Sequence, residues 1–273
     1  MDKNQKYIWK NDRNFDVDEY NDQRYFYVVE HDDLISKARH DLSARELKIM
    51  DFVISKIKPN DKKINVIHTS MYELTKILAI KRNGKNYADL ARSIGNLRKK
   101  EVLIYDENNR TVTQTGWVNQ AVYHENGQVE LELSLQLAPY LLGLKTNYTQ
   151  YLLIDTVNLK SKYSILLYKL MREADKTRGQ RVAVLKGTPE DFKSWLGAPK
   201  SYSYGRLKDK ILKPAIEEIN FKVKDMDLEL KQVKKGRKVI ETEVYNNWTL
   251  DTELNTLKNK SKPVIPLYKW SDK

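Results

Sequence analysis

Residues 203–220 read SYGRLKDKILKPAIEEIN. Placed at 100° per residue, Leu207, Ile211, Ala215 and Ile219 fall on one side, and Arg206, Lys210, Lys213 and Glu217 fall in a narrow arc opposite, with Asp209 beside them. This is an amphipathic helix with a basic outer face, opening after Ser203. Pro214 interrupts it: proline has no N–H for the carbonyl of Lys210, an interior penalty of about 3 kcal/mol, so a kink is expected there. Upstream, Thr188-Pro189 starts another helix with a cap residue and a first-turn proline. QRVAVLK (180–186) reads as a strand, and LKSKYSILLYKLMREAD (159–175) as a long helix with Tyr163, Leu167 and Leu170 on one stripe. Downstream, a hairpin runs from about residue 221 to 247. Helix, strand, helix, helix, hairpin is the order of a winged helix-turn-helix.

The same order occurs earlier in the chain without recognisable sequence identity. Ser43-x-x-Glu46 is a capping box for SARELKIMDFVISKIK (43–58), with Leu47, Met50, Val53, Ile54 and Ile57 on one face and Pro59 closing it. KINVIH (63–68) reads as a strand. Ser70-x-x-Glu73, a second capping box, opens MYELTKILAI (71–80), and a third helix spans 86–99. EVLIYDE, TVTQTGWVNQAVYH and QVELELSL read as strands, with turns at Asn108-Asn109 and Asn126-Gly127; LAPYLLGL is a short helix. A helix-like stretch precedes all of these, from Val28 to His40. The expected fold is α+β, two tandem winged-helix domains at 27–143 and 151–248, joined by a polar linker at 144–150. A mobile arm (1–26) and a flexible tail (249–273) flank them.

The charge is unevenly spread. Residues 1–150 hold 23 Lys and Arg against 21 Asp and Glu, and residues 151–273 hold 26 against 16. A positive excess confined to one half predicts a localised field and a polyanionic partner. Double-stranded DNA is the leading candidate. An anionic membrane surface would call for a basic amphipathic helix carrying Trp, Phe or Leu, and none of sufficient length is found outside the core-like helices, so no membrane partner is expected.

Arg206, Lys208 and Lys210 crowd the N-terminal half of their helix, where the helix dipole makes cations unfavourable by roughly 0.3 to 1 kcal/mol each. Stability alone would place them elsewhere, and a phosphate or a guanine edge would explain them, since recognition helices read bases from their N-terminal residues. Ser203 and Tyr204 add hydroxyls at the helix entrance. The hairpin tip KQVKKGRK gathers Lys231, Lys234, Lys235, Arg237 and Lys238 around Gly236, a density suited to a wing on the sugar-phosphate backbone. In the first domain, NYADLARSIGNLRKK carries Arg92, Arg98, Lys99 and Lys100 as a secondary DNA contact, in a unit read chiefly as a protein-interaction and dimerisation domain.

Several chemistries are unsupported. With no cysteine, disulfides and thiolate chemistry are excluded, which fits a reducing cytoplasm. The opening residues carry no apolar run, so no secretory signal is expected. His31, His40, His68 and His124 stand singly, so neither the histidine pair of a rolling-circle nickase nor a zinc set is present. Gly84-Lys85 approaches a phosphate-binding loop, but Ala79 and Asn86 stand where glycine and a hydroxyl are needed. No catalytic site, metal or cofactor is expected.

The stretches YVVEHDDLISKARHDLSARELKIMDFVISKIKP, LKSKYSILLYKLM and LKDKILKPAIEEIN resemble the iteron-binding initiator Rep proteins of theta-replicating plasmids, especially those of low-GC Gram-positive bacteria, over about residues 25–247. The resemblance implies two winged-helix domains, the second reading one half of each directly repeated origin site. It also implies a monomer–dimer equilibrium, monomers that help open the origin, recruitment of host replication initiation proteins and helicase, and dimers that repress the protein's own gene. By position, Arg206, Lys208, Lys210 and Lys213 match the recognition helix and residues 234–238 the wing. A dimeric winged-helix transcriptional repressor is the alternative.

Overall fold

The computed structural model describes residues 23–58, 61–106, 109–176 and 182–248. The chain enters through β1 (Tyr27–His31), α1 (Asp32–Ser36) and β2 (Ala38–Arg39), where the local pattern suggested one helix. The cause of the difference is distant: β1 pairs antiparallel with residues 148–152, Val28 opposite Tyr151, a partner that local periodicity does not register. The preceding residues are anchored too. Arg24 donates from Nε to the Ile77 carbonyl at 3.1 Å, and its own carbonyl accepts from Ile154 N–H at 2.7 Å. The expected arm is thus packed over residues 23–26, while residues 1–22, the tail from 249, Pro59 and Asn108 lie outside the described residues.

The capping box forms as read. In α2 (Ala44–Ser55) the Ser43 hydroxyl accepts from Glu46 N–H and Glu46 Oε2 accepts from Ser43 N–H at 2.7 Å. Leu47, Met50, Val53 and Ile54 are buried as expected, and so are Ile49, Asp51 and Phe52, because later helices cover the far side of α2. β3 (Ile67–Ser70) leads into α3 (Met71–Ile77). Here the second capping box is only half made: Ser70 caps Glu73 N–H at 3.0 Å, but the Glu73 carboxylate turns instead to the Thr69 hydroxyl (2.7 Å) and the Lys56 ammonium (2.6 Å). α4 (Gly84–Lys99) follows, burying Leu90, Ile94 and Leu97.

One long strand was expected over residues 111–124; the structure has two. β4 (Glu101–Asp106) and β5 (Thr111–Gly116) form a hairpin paired to β2, whereas β6 (Val118–Tyr123) pairs with β7 (Gln128–Leu133) in another sheet. The chain changes sheet at Trp117, which is buried, with its carbonyl accepting from Ser134 N–H at 3.1 Å. The order β3-β7-β6 makes the sheet of the first winged helix. After α5 (Ala138–Leu141), β8 (Tyr148–Leu152) is the strand that pairs with β1, so residues 148–150 of the expected linker are strand.

α6 (Leu153–Asn158), α7 (Lys162–Lys176), β9 (Ala183–Gly187) and α8 (Pro189–Trp195) lead to the helix that opens after Ser203, and β10 (Leu228–Lys235) and β11 (Lys238–Asn246) close the unit. The sheet order β9-β11-β10 repeats that of the first unit: in each, the first strand lies beside the second strand of the hairpin. The molecule is therefore two tandem winged helices in an α+β fold, the first enlarged by the β4–β5 hairpin. Gly187 ends β9 where a Cβ would stand 2.6 Å from Trp195 Cη2 and 3.1 Å from Asp191 Cβ. Gly187→Ala is expected to push Trp195 off Phe192, its edge-to-face partner at 5.2 Å, and to lower stability by about 1–3 kcal/mol in urea unfolding.

Candidate nucleic-acid interface

The candidate reading helix, which opens after Ser203, is built from α9 (Tyr204–Leu207), a π-helical segment (Lys208–Leu212) and α10 (Lys213–Lys222). Ser203 caps it, its hydroxyl accepting from Arg206 N–H at 3.4 Å. Just before Pro214 the helix carries a π turn, with Lys213 N–H bonding to the Lys208 carbonyl five residues back, and it continues as α-helix from Lys213. Leu207, Ile211, Ala215 and Ile219 are buried, and Arg206, Asp209, Lys210, Lys213 and Glu217 are exposed, as the helical arc required.

The basic side chains differ in what holds them. The Arg206 guanidinium lies 4.7 Å from the centre of the Tyr202 ring, a cation–π contact that leaves its N–H groups without an acid partner among the described residues. Asp209 sits 3.3 Å from Lys213 and 3.9 Å from Lys208, and Lys208 is half-buried. Lys210 faces no acid among the described residues. Tyr204 is turned inward: its hydroxyl is buried without a hydrogen-bond partner among the described residues, so it does not present a donor at the surface.

At the hairpin, Gly236 takes φ 61° in a two-residue turn that sets Lys235 directly opposite Lys238. Like charges facing each other across strands are destabilising. Lys234, Lys235, Arg237 and Lys238 are all exposed and face no acid among the described residues. Lys231 lies lower on the wing, over the Tyr245 ring at 4.5 Å and 3.3 Å from Glu229. A register shift after Val233 leaves Ile240 unpaired and bends the tip.

In the first unit the predicted cations are mostly engaged. Lys100 binds Glu46 at 2.9 Å and so supports the cap of α2, Arg92 binds Asp89 at 2.8 Å, and Arg98 donates to the Asn119 carbonyl at 3.3 Å. Only Lys99 among these four is exposed and free of such contacts among the described residues. By topology α4 holds the place of the reading helix, and its N-terminal end, not its C-terminal end, corresponds to Arg206 and Lys210. There Lys81, Arg82 and Lys85 are exposed, Arg82 lying 4.9 Å over the Tyr72 ring. The charge count passed over them; the signal was the KRNGK run beside the Asn83 cap. Among the described residues no three acids and histidines are grouped to hold a metal, and no helix is long and apolar enough to cross a membrane.

Residues 27–172 match the family described as initiator replication protein, WH1, and residues 188–244 match initiator Rep protein, WH2. The chain belongs to the initiator Rep protein family. Among solved structures, the Pi initiator protein in complex with iteron DNA is similar in fold, at a TM-score of 0.68 and 17% identity, covering 84% of this chain and 99% of that one. Domains 2 and 3 of RctB align at a TM-score of 0.43 and 12% identity, over 80% of this chain and 81% of that one.

The WH1 match runs to Arg172, well inside α7, the helix that opens the second winged-helix order. The reading helix stands on this same α7: the Glu218 carboxylate accepts from Lys160 N–H at 2.7 Å and Ser161 N–H at 3.1 Å, capping the start of α7, and pairs with Lys222. Burial opposes the ionised carboxylate, but Lys222, Ser164 and those two N–H groups together bring its pKa down to about 2. The unfolded chain therefore binds the Glu218 proton more readily. Its contribution to stability is complete above pH 4.5 or so and disappears as the pH falls toward 2. Glu218→Gln should unfold at lower urea concentration at pH 6, with the gap to the wild type narrowing steadily between pH 4.5 and 2.

Proposed function

We propose that this protein is a replication initiator that binds directly repeated origin sites, iterons, in double-stranded DNA. In this reading the second winged helix, residues 151–248, reads one half of each repeat. Arg206, Lys210 and Lys213 enter the major groove, Lys208 and Ser203 lie toward the backbone, and Lys234, Lys235, Arg237 and Lys238 rest on sugar-phosphate. The first winged helix, from residue 27, contacts the adjacent part of the repeat through α4, with Lys81, Arg82, Lys85 and Lys99, and contributes to self-association. Bound monomers help open the origin and bring in host initiation proteins and helicase, and a dimer represses the gene for the chain itself. The protein performs no chemical step.

The observation that carries this reading is a set of cations placed against the interest of stability. Lys210 and the four wing-tip residues face no acid among the described residues, and Lys235 opposes Lys238 across the hairpin. A polyanion lying along both elements relieves that repulsion. Membership of the initiator family supports DNA with an origin as the polyanion.

A footprint on the chain's own origin should cover tandem repeats; protection confined to a palindrome would point to a repressor, and nicking of supercoiled origin DNA with divalent metal would point to an enzyme. Lys210→Ala should weaken binding by about 1–3 kcal/mol and relax selection at one or two base pairs. Lys235→Ala should weaken binding to all sequences alike and reduce the slope of log K against log salt by about one unit. Equal effects of the two substitutions on specific and random DNA would assign both to the backbone.

A further inference from the structure

Between the two winged helices lies a cluster of charged groups that no part of the DNA surface uses. Lys169 Nζ on α7 stands 2.6 Å from Asp51 Oδ1 on α2 and 3.2 Å from Glu30 Oε1 on β1. The Tyr151 hydroxyl, on β8, donates to Glu30 at 2.7 Å and lies 3.1 Å from Asp51. All four are interior, with exposures of 0% for Asp51, 2% for Glu30 and Tyr151 and 7% for Lys169. Four elements of the fold thus converge on one ammonium.

Stability does not ask for this arrangement. Replacing a buried ion pair with apolar side chains of similar volume is often neutral or stabilising, whereas the pair itself is satisfied only in one geometry. Apolar packing is non-directional and tolerates sliding and rotation. Charge-assisted hydrogen bonds at these distances do not.

What the cluster fixes can be traced. On its first-unit side, α2 packs on α4, and Lys48 of α2 donates to the Val157 carbonyl of α6 at 2.7 Å. On its second-unit side, one turn along α7 from Lys169, Arg172 grips Asp225 through two bonds of 2.8 and 2.6 Å, in the turn that leads into β10 of the wing. Glu218 ties the reading helix to the start of α7. A continuous path of packed and hydrogen-bonded elements therefore joins α4 to α10, and the cluster is its junction.

We propose that Lys169, Asp51, Glu30 and Tyr151 are positioning residues that fix the distance and angle between α4 and the α9–α10 reading helix, so that the spacing between the two halves of one repeat becomes part of what the protein recognises. This rests on the proposed reading of a single repeat by both units. A single inserted base pair moves one half by about 3.4 Å and about 34° relative to the other, a displacement the junction does not follow.

The test uses the full chain with Glu30→Gln, Asp51→Asn and Lys169→Met combined, which removes the charges while keeping side-chain size, and Tyr151→Phe alone as a milder change that retains the fold. Binding is measured to the native repeat and to repeats with one or two base pairs inserted between the halves. The wild type is expected to lose roughly tenfold or more per insertion, and the triple variant clearly less, with Tyr151→Phe between them. Because the chain has no cysteine, spin labels placed through Gln120→Cys and Glu190→Cys report the separation of the two units without DNA. A narrow distance distribution is expected in the wild type and a broader one in both variants. Unchanged spacing discrimination together with unchanged distributions in the folded variants overturns the proposal, as does a wild type indifferent to the insertions. A wild type that binds no direct repeat overturns the proposed function instead, and the distance distributions then still decide whether the cluster holds the two units.

Discussion

One lysine ammonium, enclosed between two carboxylates, is the contact around which the two winged helices are arranged. Burial raises the Glu30 carboxyl above the ordinary carboxylate range, and Lys169 pulls it back; for Lys169 itself the two acids outweigh burial and raise its pKa. The charges are stable only as a group. Taking away the ammonium alone leaves two carboxylates in a low-dielectric interior, a loss of about 3–5 kcal/mol by comparison with other buried pairs. The Tyr151 ring stacks edge-on against Tyr168 at 5.7 Å, and both rings are buried, so the polar cluster sits beside an apolar seam.

This constraint gives α7 an unusual position. By element order it is the first helix of the second unit, yet Lys169 and the close packing of α1 and α2 make it equally a part of the first. Its other faces carry the helix after Ser203 and the base of the second hairpin. Arg172 is bonded to Asp225 and Asp155, Tyr168 donates to Asp155 at 2.7 Å, and Glu218 reaches back from the reading helix to its first turn. The outward cations are therefore mounted on a support whose interior contacts are already formed. A surface ordered in advance gives up less conformational freedom when it meets a ligand.

Elements governed by local rules were legible in the sequence, and elements governed by distant partners were not. The capping box at Ser43, the helix start at Thr188-Pro189, the amphipathic arc from Arg206 to Glu217 and the Gly236 turn all depend on neighbours a few residues away, and each was readable. Residues 28–40 were misread because β1 is defined by a strand about 120 positions later. The break at Trp117 was missed for a similar reason: only the two separate sheets reveal that the chain has crossed between them. In the candidate site, the charges of the second unit were found, those at the start of α4 were passed over, and the partners of several were not foreseen. Lys100 reads like Lys99, yet it neutralises Glu46, and Tyr204 reads like a surface hydroxyl, yet it points inward.

Net charge is accordingly a blunt guide to where a polyanion binds. Lys56, Lys100, Lys169 and Arg172 count toward the positive total but are each matched to an acid within the fold, so they project little field into solvent. Lys81, Arg82 and Lys85 sit in a half of the chain whose sum is close to neutral, yet no acid faces them among the described residues. A phosphate responds to the local potential within about a Debye length, roughly 8 Å at physiological salt, and not to the sum over a domain. On that scale the first winged helix presents a positive end at the start of α4, as the second does from Arg206 to Lys213. Near neutrality summed over the first unit is therefore compatible with a locally basic surface.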